Sequence, residues 1–321
     1  MDDFIGRRDL IAPERLRELT RRSDWKGAVQ TLSHFGAIGA TGTGLWLTWG
    51  SWWAVPWFVL HGMLLNYLFA AQHECNHYTA FRTRWVNDVV NRITGFVLLY
   101  PRSYERWYHF EHHRHTQDWE RDPELMRRKP FTLSSYLLYL SGVSYWANLL
   151  VRLWRNARGR TFGDYFTAAQ RRHIALEARW LIAGYAFVAA VSVAFESWTV
   201  ISLWLAPMLS TKMLHQVQNI TEHTGVSHEP DTVHNTRTIA TWPILRWMCW
   251  NMQYHTAHHT FPAVPFHRLP ELHAELERRL GYAPPTVGYV EFQRRFIAAL
   301  ARGSEDVEGA NEAGTAIKRA A

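Results

Sequence analysis

The richest run of potential metal donors lies at Trp107–His115, where His109, His112 and His113 form His-x-x-His-His. On a helix these three side chains project from one side, about a turn apart. The pattern returns downstream as His255, His258 and His259, and upstream His73 and His77 stand at i, i+4. Eight of the 18 histidines therefore fall into three clusters. A lone helical histidine is ordinarily a satisfied polar residue, but two identical repeats and a spaced pair read as a metal site. Neutral imidazole suits iron, zinc and copper. Eight donors exceed what one ion takes, so two ions are implied. Soluble di-iron bundles rely instead on Glu and Glu-x-x-His.

The elements that position these donors are set by segregated charge. Mean hydropathy is slightly negative, yet Gly27 to His73 is a run of 47 residues without Asp, Glu, Lys or Arg. A bilayer core needs about 20 helical residues per crossing, so this run holds two spans that turn near Trp49–Trp53, where Gly50 and interfacial Trp suit a hairpin tip. A second block, Trp180 to Thr211, carries only Glu196 and reads as two shorter spans meeting at Phe195–Trp198. The N-terminal segment has seven basic residues (Arg7, Arg8, Arg15, Arg17, Arg21, Arg22, Lys26) and the two tips have none. The positive-inside rule then puts both termini and all three clusters in the cytoplasm. The net charge of +7 follows from the same rule and from anionic lipid; no nucleic-acid motif accompanies it. Cys75 and Cys249 fall on the cytoplasmic side, so no structural disulfide is expected. The first 26 residues are charged throughout, so no cleavable signal peptide is expected.

Between the hairpins, Trp85–Tyr100 is too short and too interrupted to cross, and a helix at the interface is expected; Pro101 ends it and the first His-x-x-His-His opens on the next helix. Phe131–Val151 offers 21 uncharged residues. Basic residues flank it on both sides (Arg127, Arg128 and Lys129; Arg152, Arg155, Arg158 and Arg160), so it is expected as a helix lying in the interface. Thr238–Tyr254 is Trp-rich, short and again interfacial, and 266–300 is an amphipathic helical region. The expected fold is an all-α integral membrane protein: four transmembrane helices as two hairpins, interfacial helices, and a cytoplasmic His-rich di-metal cap. Residues 1–26 form a cytoplasmic arm, 27–300 the membrane domain, and 301–321 a disordered tail.

Three boxes of the form His-x(3)-His, His-x-x-His-His and His-x-x-His-His, in this order around two membrane hairpins, resemble the integral-membrane fatty acid desaturase and hydroxylase superfamily over roughly residues 27–290. Asp122-Pro123, Glu222–Gly225 and His234–Thr238 look like its bacterial members. The resemblance implies a non-haem di-iron centre held by His73, His77, His109, His112, His113, His255, His258 and His259. Asn219-x-x-x-His223 matches the family's ninth-histidine spacing, which makes His223 the ninth ligand and gives Asn219 a place beside a metal-bound water. His115, His215, His228 and His234 are left as surface or supporting histidines. Glu74, Glu111, Asp118, Asp122, Glu222 and Asp231 are candidates to orient ligand imidazoles through their other nitrogens. The resemblance further implies dioxygen as co-substrate, an apolar lipid or acyl chain entering from the bilayer, and a bacterial inner-membrane location with a cytoplasmic active site. With no fused haem or flavin module, electrons come from a ferredoxin- or rubredoxin-type protein.

The family's first box commonly has Asp after its first histidine; here Glu74 stands there. His73-Glu74-Cys75-Asn76-His77 is thereby also the zinc-peptidase pattern, with Glu74 as general base. An intramembrane zinc protease would leave both His-x-x-His-His boxes without a role, and a receptor or metal carrier would need neither the box order nor two close metals. Within the superfamily, desaturation and hydroxylation share the first hydrogen abstraction; the Asn219–His223 motif resembles desaturases. Gly36, Gly39, Gly42, Gly44 and Gly62 serve either a substrate path or helix packing, with packing favoured.

Overall fold

The neutral run folds as two long antiparallel helices. α1 (Pro13–Leu19) precedes α2 (Asp24–Thr48), whose start is capped by Ser23, its hydroxyl accepting from the Lys26 amide at 3.3 Å. The chain turns at 49–53, with Gly50 at φ +85, and returns as α3 (Ala54–Asn76), which carries His73 into the protein interior. The tip tryptophans Trp49, Trp52 and Trp53 are all exposed. The computed structural model describes residues 7, 9–125 and 132–302; all but the first two residues of the tail expected at 301–321, the outer part of the N-terminal arm and the flanking Arg127, Arg128 and Lys129 lie outside the described residues.

α4 (Arg84–Val97) and α5 (Arg102–Arg114) are separated at Pro101, and α5 carries the first His-x-x-His-His. The single helix expected over Phe131–Val151 is instead two. α6 (Leu133–Leu140) stops at Ser141, and α7 (Val143–Ala157) starts after Gly142 at φ +72, a conformation that favours glycine. The reason is tertiary: a Cβ on Gly142 would stand 2.9 Å from Lys212 Cβ.

α8 (Ala168–Ala194) opens with a Thr167–Gln170 capping box and ends at the expected turn, where Glu196 sits at φ +49. The return leg is irregular: a π-helical turn at Ile201–Leu205, then α9 (Ala206–Ser210) and α10 (Lys212–His223). Pro207 explains the irregularity. It has no N–H to donate to the Leu203 carbonyl four residues back, and His61 Nε2 of α3 donates to that carbonyl at 2.7 Å. The two legs pack so closely here that a Cβ on Gly62 would overlap the Pro207 carbonyl. Gly42 and Gly44 likewise meet His61 and Trp57, whereas Gly36 and Gly39 have open space beside them.

Among the described residues two helices, α3 and α8, are long and apolar enough to cross a bilayer. α2 has the length, but Gly, Thr, Ser and His dilute it, and the return leg of the second hairpin is broken at Pro207 and Thr211. The Trp-rich segment 238–254 is less peripheral than expected. It begins with β1 (Thr238–Ala240), continues through α11 (Pro243–Met248), and buries Trp250 completely, with the indole N–H donating to His34 Nδ1 of α2 at 3.1 Å. α12 (His255–Thr260) carries the last box; α13 (Leu269–Leu280) and α14 (Tyr289–Ala301) complete the described chain. β1 pairs in parallel with β2 (Thr286–Gly288) in the register Thr238 to Thr286. The described chain is otherwise helical, as expected, and three residues per strand are too few to show an alternating pattern.

Candidate metal centre

Four elements deliver nine histidines to one place. His73 lies in the last turn of α3 and His77 caps it; His109, His112 and His113 lie on α5; His223 ends α10; His255, His258 and His259 lie on α12. All nine are buried. They sort into two groups. The candidate ligand atoms of His73, His77, His109, His113 and His258 all lie within 4.8 Å of one another, and so do those of His112, His223 and His259. His255 adjoins the second group, its Nε2 2.6 Å from His223 Nε2.

Helix geometry explains the division. Residues four apart share a face, so His109 and His113 serve one group; adjacent residues diverge by about 100°, so His112 turns to the other. α12 repeats this, with His258 on one side and His255 and His259 on the other. The two groups touch where the His113 and His259 rings stack with centroids 4.1 Å apart.

The convergence of nitrogens fits bound cations. His109 Nε2 lies 3.0 Å from His77 Nε2 and 2.8 Å from His113 Nε2, and His258 Nε2 lies 3.2 Å from His113 Nε2. Each neutral ring has one proton to donate, so such a set cannot satisfy its lone pairs internally. Two nitrogens ~2.1 Å from a common ion at right angles would stand ~3 Å apart, which is this spacing. Among the described residues, neither ring nitrogen of His73 has a hydrogen-bond partner, nor does Nε2 of His259. Burial, and then the neighbouring imidazoles, hold His109, His113, His258 and His259 well below the ordinary histidine pKa. The rings are therefore neutral, the form that binds metal.

The surrounding polar groups fix some of these rings. Asp122 accepts from His112 Nδ1 at 2.9 Å, and its carboxylate also takes the amides of Gln117 and Glu124 at 2.8 and 2.9 Å. Glu222 Oε1 stands 3.9 Å from His255 Nδ1 and accepts from Gln218 at 2.9 Å. Glu74 Oε2 accepts from Thr79 Oγ1 at 2.7 Å and from the Phe266 amide at 3.0 Å, while Oε1 is 3.9 Å from His73 Nδ1. Glu74 thus fastens the first box to the segment after the last one. One oxygen of that carboxylate is held by Thr79 and the Phe266 amide and the other faces His73 Nδ1, an arrangement that supports a ring rather than one that activates a water as the general base of a peptidase. Asn219 lines the adjoining cavity and accepts from the Tyr139 hydroxyl at 3.0 Å.

The remaining candidates point elsewhere. Glu111 pairs with Arg114 and His115, Asp118 with Arg121, and Asp231 with His234. His228 stacks on Trp119, and His215 meets the Phe69 ring edge-on while facing the cavity. Sequence reasoning missed two supports. Thr116 Oγ1 contacts His259 Nδ1 at 3.2 Å, and Gln117 Nε2 donates to the His223 carbonyl at 2.7 Å. Their only signal was position, directly after the second box. The cavity beside the histidines has a volume of about 510 Å³ and extends from His73, His112 and His223 to Tyr145 and Lys212.

The fatty acid desaturase family model matches residues 47–290. The chain is 24% identical over 258 residues to an sn-1 oleoyl-lipid 12-desaturase of Picosynechococcus sp., covering 70% of this chain and 71% of the relative. It is 24% identical to the protein of that description in Synechocystis sp., covering 71% of each. It is 29% identical over 238 residues to a sphingolipid delta(4)-desaturase of Drosophila melanogaster, covering 70% of this chain and 66% of the relative.

Proposed function

The chain belongs to the fatty acid desaturase family and is a dioxygen-dependent oxidoreductase with desaturase-like function; from that premise we propose that its nine histidines hold two iron ions and that its substrate is the acyl chain of a lipid. The observation that carries this reading is the division of the histidines into two abutting groups beside one cavity. When bound, the irons supply the redox chemistry that couples dioxygen to attack on an unactivated C–H bond; zinc has no redox chemistry to offer.

The protein's own residues supply placement. The five-histidine group would hold one ion and the group around His223 the other, and the two groups meet where the His113 and His259 rings stack. Asp122 holds His112 by Nδ1 and so turns its Nε2 toward His223, and Thr116 steadies His259. The cavity takes an acyl chain out of water past Phe69 and Tyr108, and Asn219, at its wall, is positioned to hold a water. The balance is that two hydrogens leave adjacent carbons, two electrons and two protons arrive from outside, and dioxygen leaves as two waters. The electrons come from a separate ferredoxin- or rubredoxin-type protein, to which exposed Arg21 and Arg82 offer charge complementarity.

The test is incubation with candidate acyl lipids, a ferredoxin system and labelled dioxygen, read by mass spectrometry. The expected product is two mass units lighter and unlabelled. Label in the organic product would make the enzyme a hydroxylase of the same superfamily, and turnover without oxygen or reductant would end the reading.

The proposal includes four crossings, with α2 and the 198–223 leg joining α3 and α8, in a bacterial inner membrane and with the histidines on the cytoplasmic side. Exposed Trp52 and Trp198 at the two tips support it. Reporter fusions after residues 50 and 197 are expected to read outside, and those after 80 and 165 inside. An outside signal at 165 would mean that α6 and α7 cross, and would separate the boxes.

A further inference from the structure

Lys212 is the first charge after the neutral 197–211 stretch, and it is 2% exposed. Its Nζ lies 3.8 Å from the centroid of Tyr145 and 5.5 Å from that of Trp146. No carboxylate among the described residues stands within ion-pair distance; Glu105, which faces the same cavity, acts on it only through space. Aromatic faces stabilise an ammonium but do not replace its hydration. Lys212 is also the first residue of α10, where the helix dipole disfavours a cation and favours an anion. The fold nevertheless makes room for it: the Gly142 turn between α6 and α7 is shaped around its stem, a Cβ there lying 2.9 and 3.1 Å from Lys212 Cβ and Cγ. Nothing in this helix start favours a buried lysine on stability grounds, and a buried ionisable group at membrane depth is by default functional.

We propose that Lys212 receives the carboxyl group of the acyl substrate and so determines which carbon–carbon bond lies at the histidines. The proposal rests on the acyl-lipid reading above and names the polar end of that substrate. Ser144 and Asn148 line the same end of the cavity and offer further donors to a carboxyl oxygen. Lys212 and His223 are the two ends of α10, separated by about 16 Å of helix axis. A chain anchored at the first residue and laid along the cavity reaches the histidines at one distance from its carboxyl carbon. Lys212 is a positioning residue, since it touches the substrate far from the reacting atoms.

The test compares wild type, Lys212→Met and Lys212→Arg as purified holoprotein. Methionine keeps an unbranched stem against Gly142 and removes the charge. Direct binding of radiolabelled stearate, methyl stearate and octadecane is measured without turnover. Stearate binding is expected to weaken about tenfold to a hundredfold in Lys212→Met, the range for a hydrogen bond to a charged group. Lys212→Arg is expected to recover most of it, and octadecane binding to stay unchanged. Weakening of stearate alone identifies a carboxylate; weakening of stearate and ester together identifies the carboxyl oxygen common to both. Products of Lys212→Met are expected to spread over several bond positions where wild type makes one. Unchanged stearate binding, or an equal loss for octadecane, overturns the assignment. If wild type binds stearate through Lys212 but forms no product two mass units lighter, the assignment stands and the desaturase reading fails.

Discussion

Replacing His113 with alanine is expected to abolish turnover and to lower the iron content of the purified protein. His113 belongs to the five-histidine group, with Nε2 2.8 Å from His109 Nε2 and 3.2 Å from His258 Nε2, and its ring stacks on His259 of the other group. Its removal therefore disturbs both groups at once. Loss of a group that merely supports a ligand costs about 10–100-fold in metal affinity or activity, and loss of the ligand itself is expected to exceed that range. Elemental analysis of wild type grown with controlled iron is expected to give close to two irons per chain, and of His113→Ala clearly fewer. Full iron with full activity in the variant would remove His113 from the ligand set. Stoichiometric zinc alone in iron-replete wild type would end the di-iron reading.

Asp122→Asn is expected to lower activity about 10–100-fold while the fold survives. The carboxylate fixes His112 by its Nδ1–H and receives two backbone amides besides. Asparagine keeps an acceptor oxygen but loses the charge that raises the basicity of the ring. Asp122→Ala removes every acceptor, and the amides of Gln117 and Glu124 are left unpaired at about 1–3 kcal/mol each. Thermal unfolding should thus separate the two variants, with Ala clearly less stable and Asn close to wild type. Equal activity of Asp122→Asn and wild type at equal metal content would show that His112 needs no such partner.

The nine histidines were legible because their geometry is local. Spacing of four residues, or of three and one, is converted by a helix into faces, and the tandem His112-His113 and His258-His259 pairs provide one face for each of the two histidine groups. Both turns, at 49–53 and at Glu196, were legible for a similar reason, since each interrupts a long run that carries almost no charge. What was not legible depended on partners far along the chain. The break at Gly142 is shaped by Lys212, Trp250 is buried by His34, and the Leu203 carbonyl released by Pro207 is claimed by His61. Glu74 illustrates the same limit. Its place in the first box suggested an imidazole partner, and one oxygen does face His73 Nδ1 at 3.9 Å; the other reaches Thr79 and a backbone amide 192 residues away, which the box could not announce.

The five-histidine group draws its members from positions 73 to 258, so the timing of biosynthesis bears on metal capture. At about 5–20 residues per second, roughly 10–40 s pass between synthesis of His73 and of His258. During that interval a nascent chain offers only four of the five members of that group, His73, His77, His109 and His113, an incomplete set for any ion. The Glu74 bond to the Phe266 amide forms only after the last box has emerged, so closure of the site waits on completion of all its donors. If the proposed irons are the native ions, overexpression that outpaces the iron supply is expected to fill these early donors with whatever ion is abundant, so the ion found in purified protein would record the conditions of synthesis as well as the preference of the finished site.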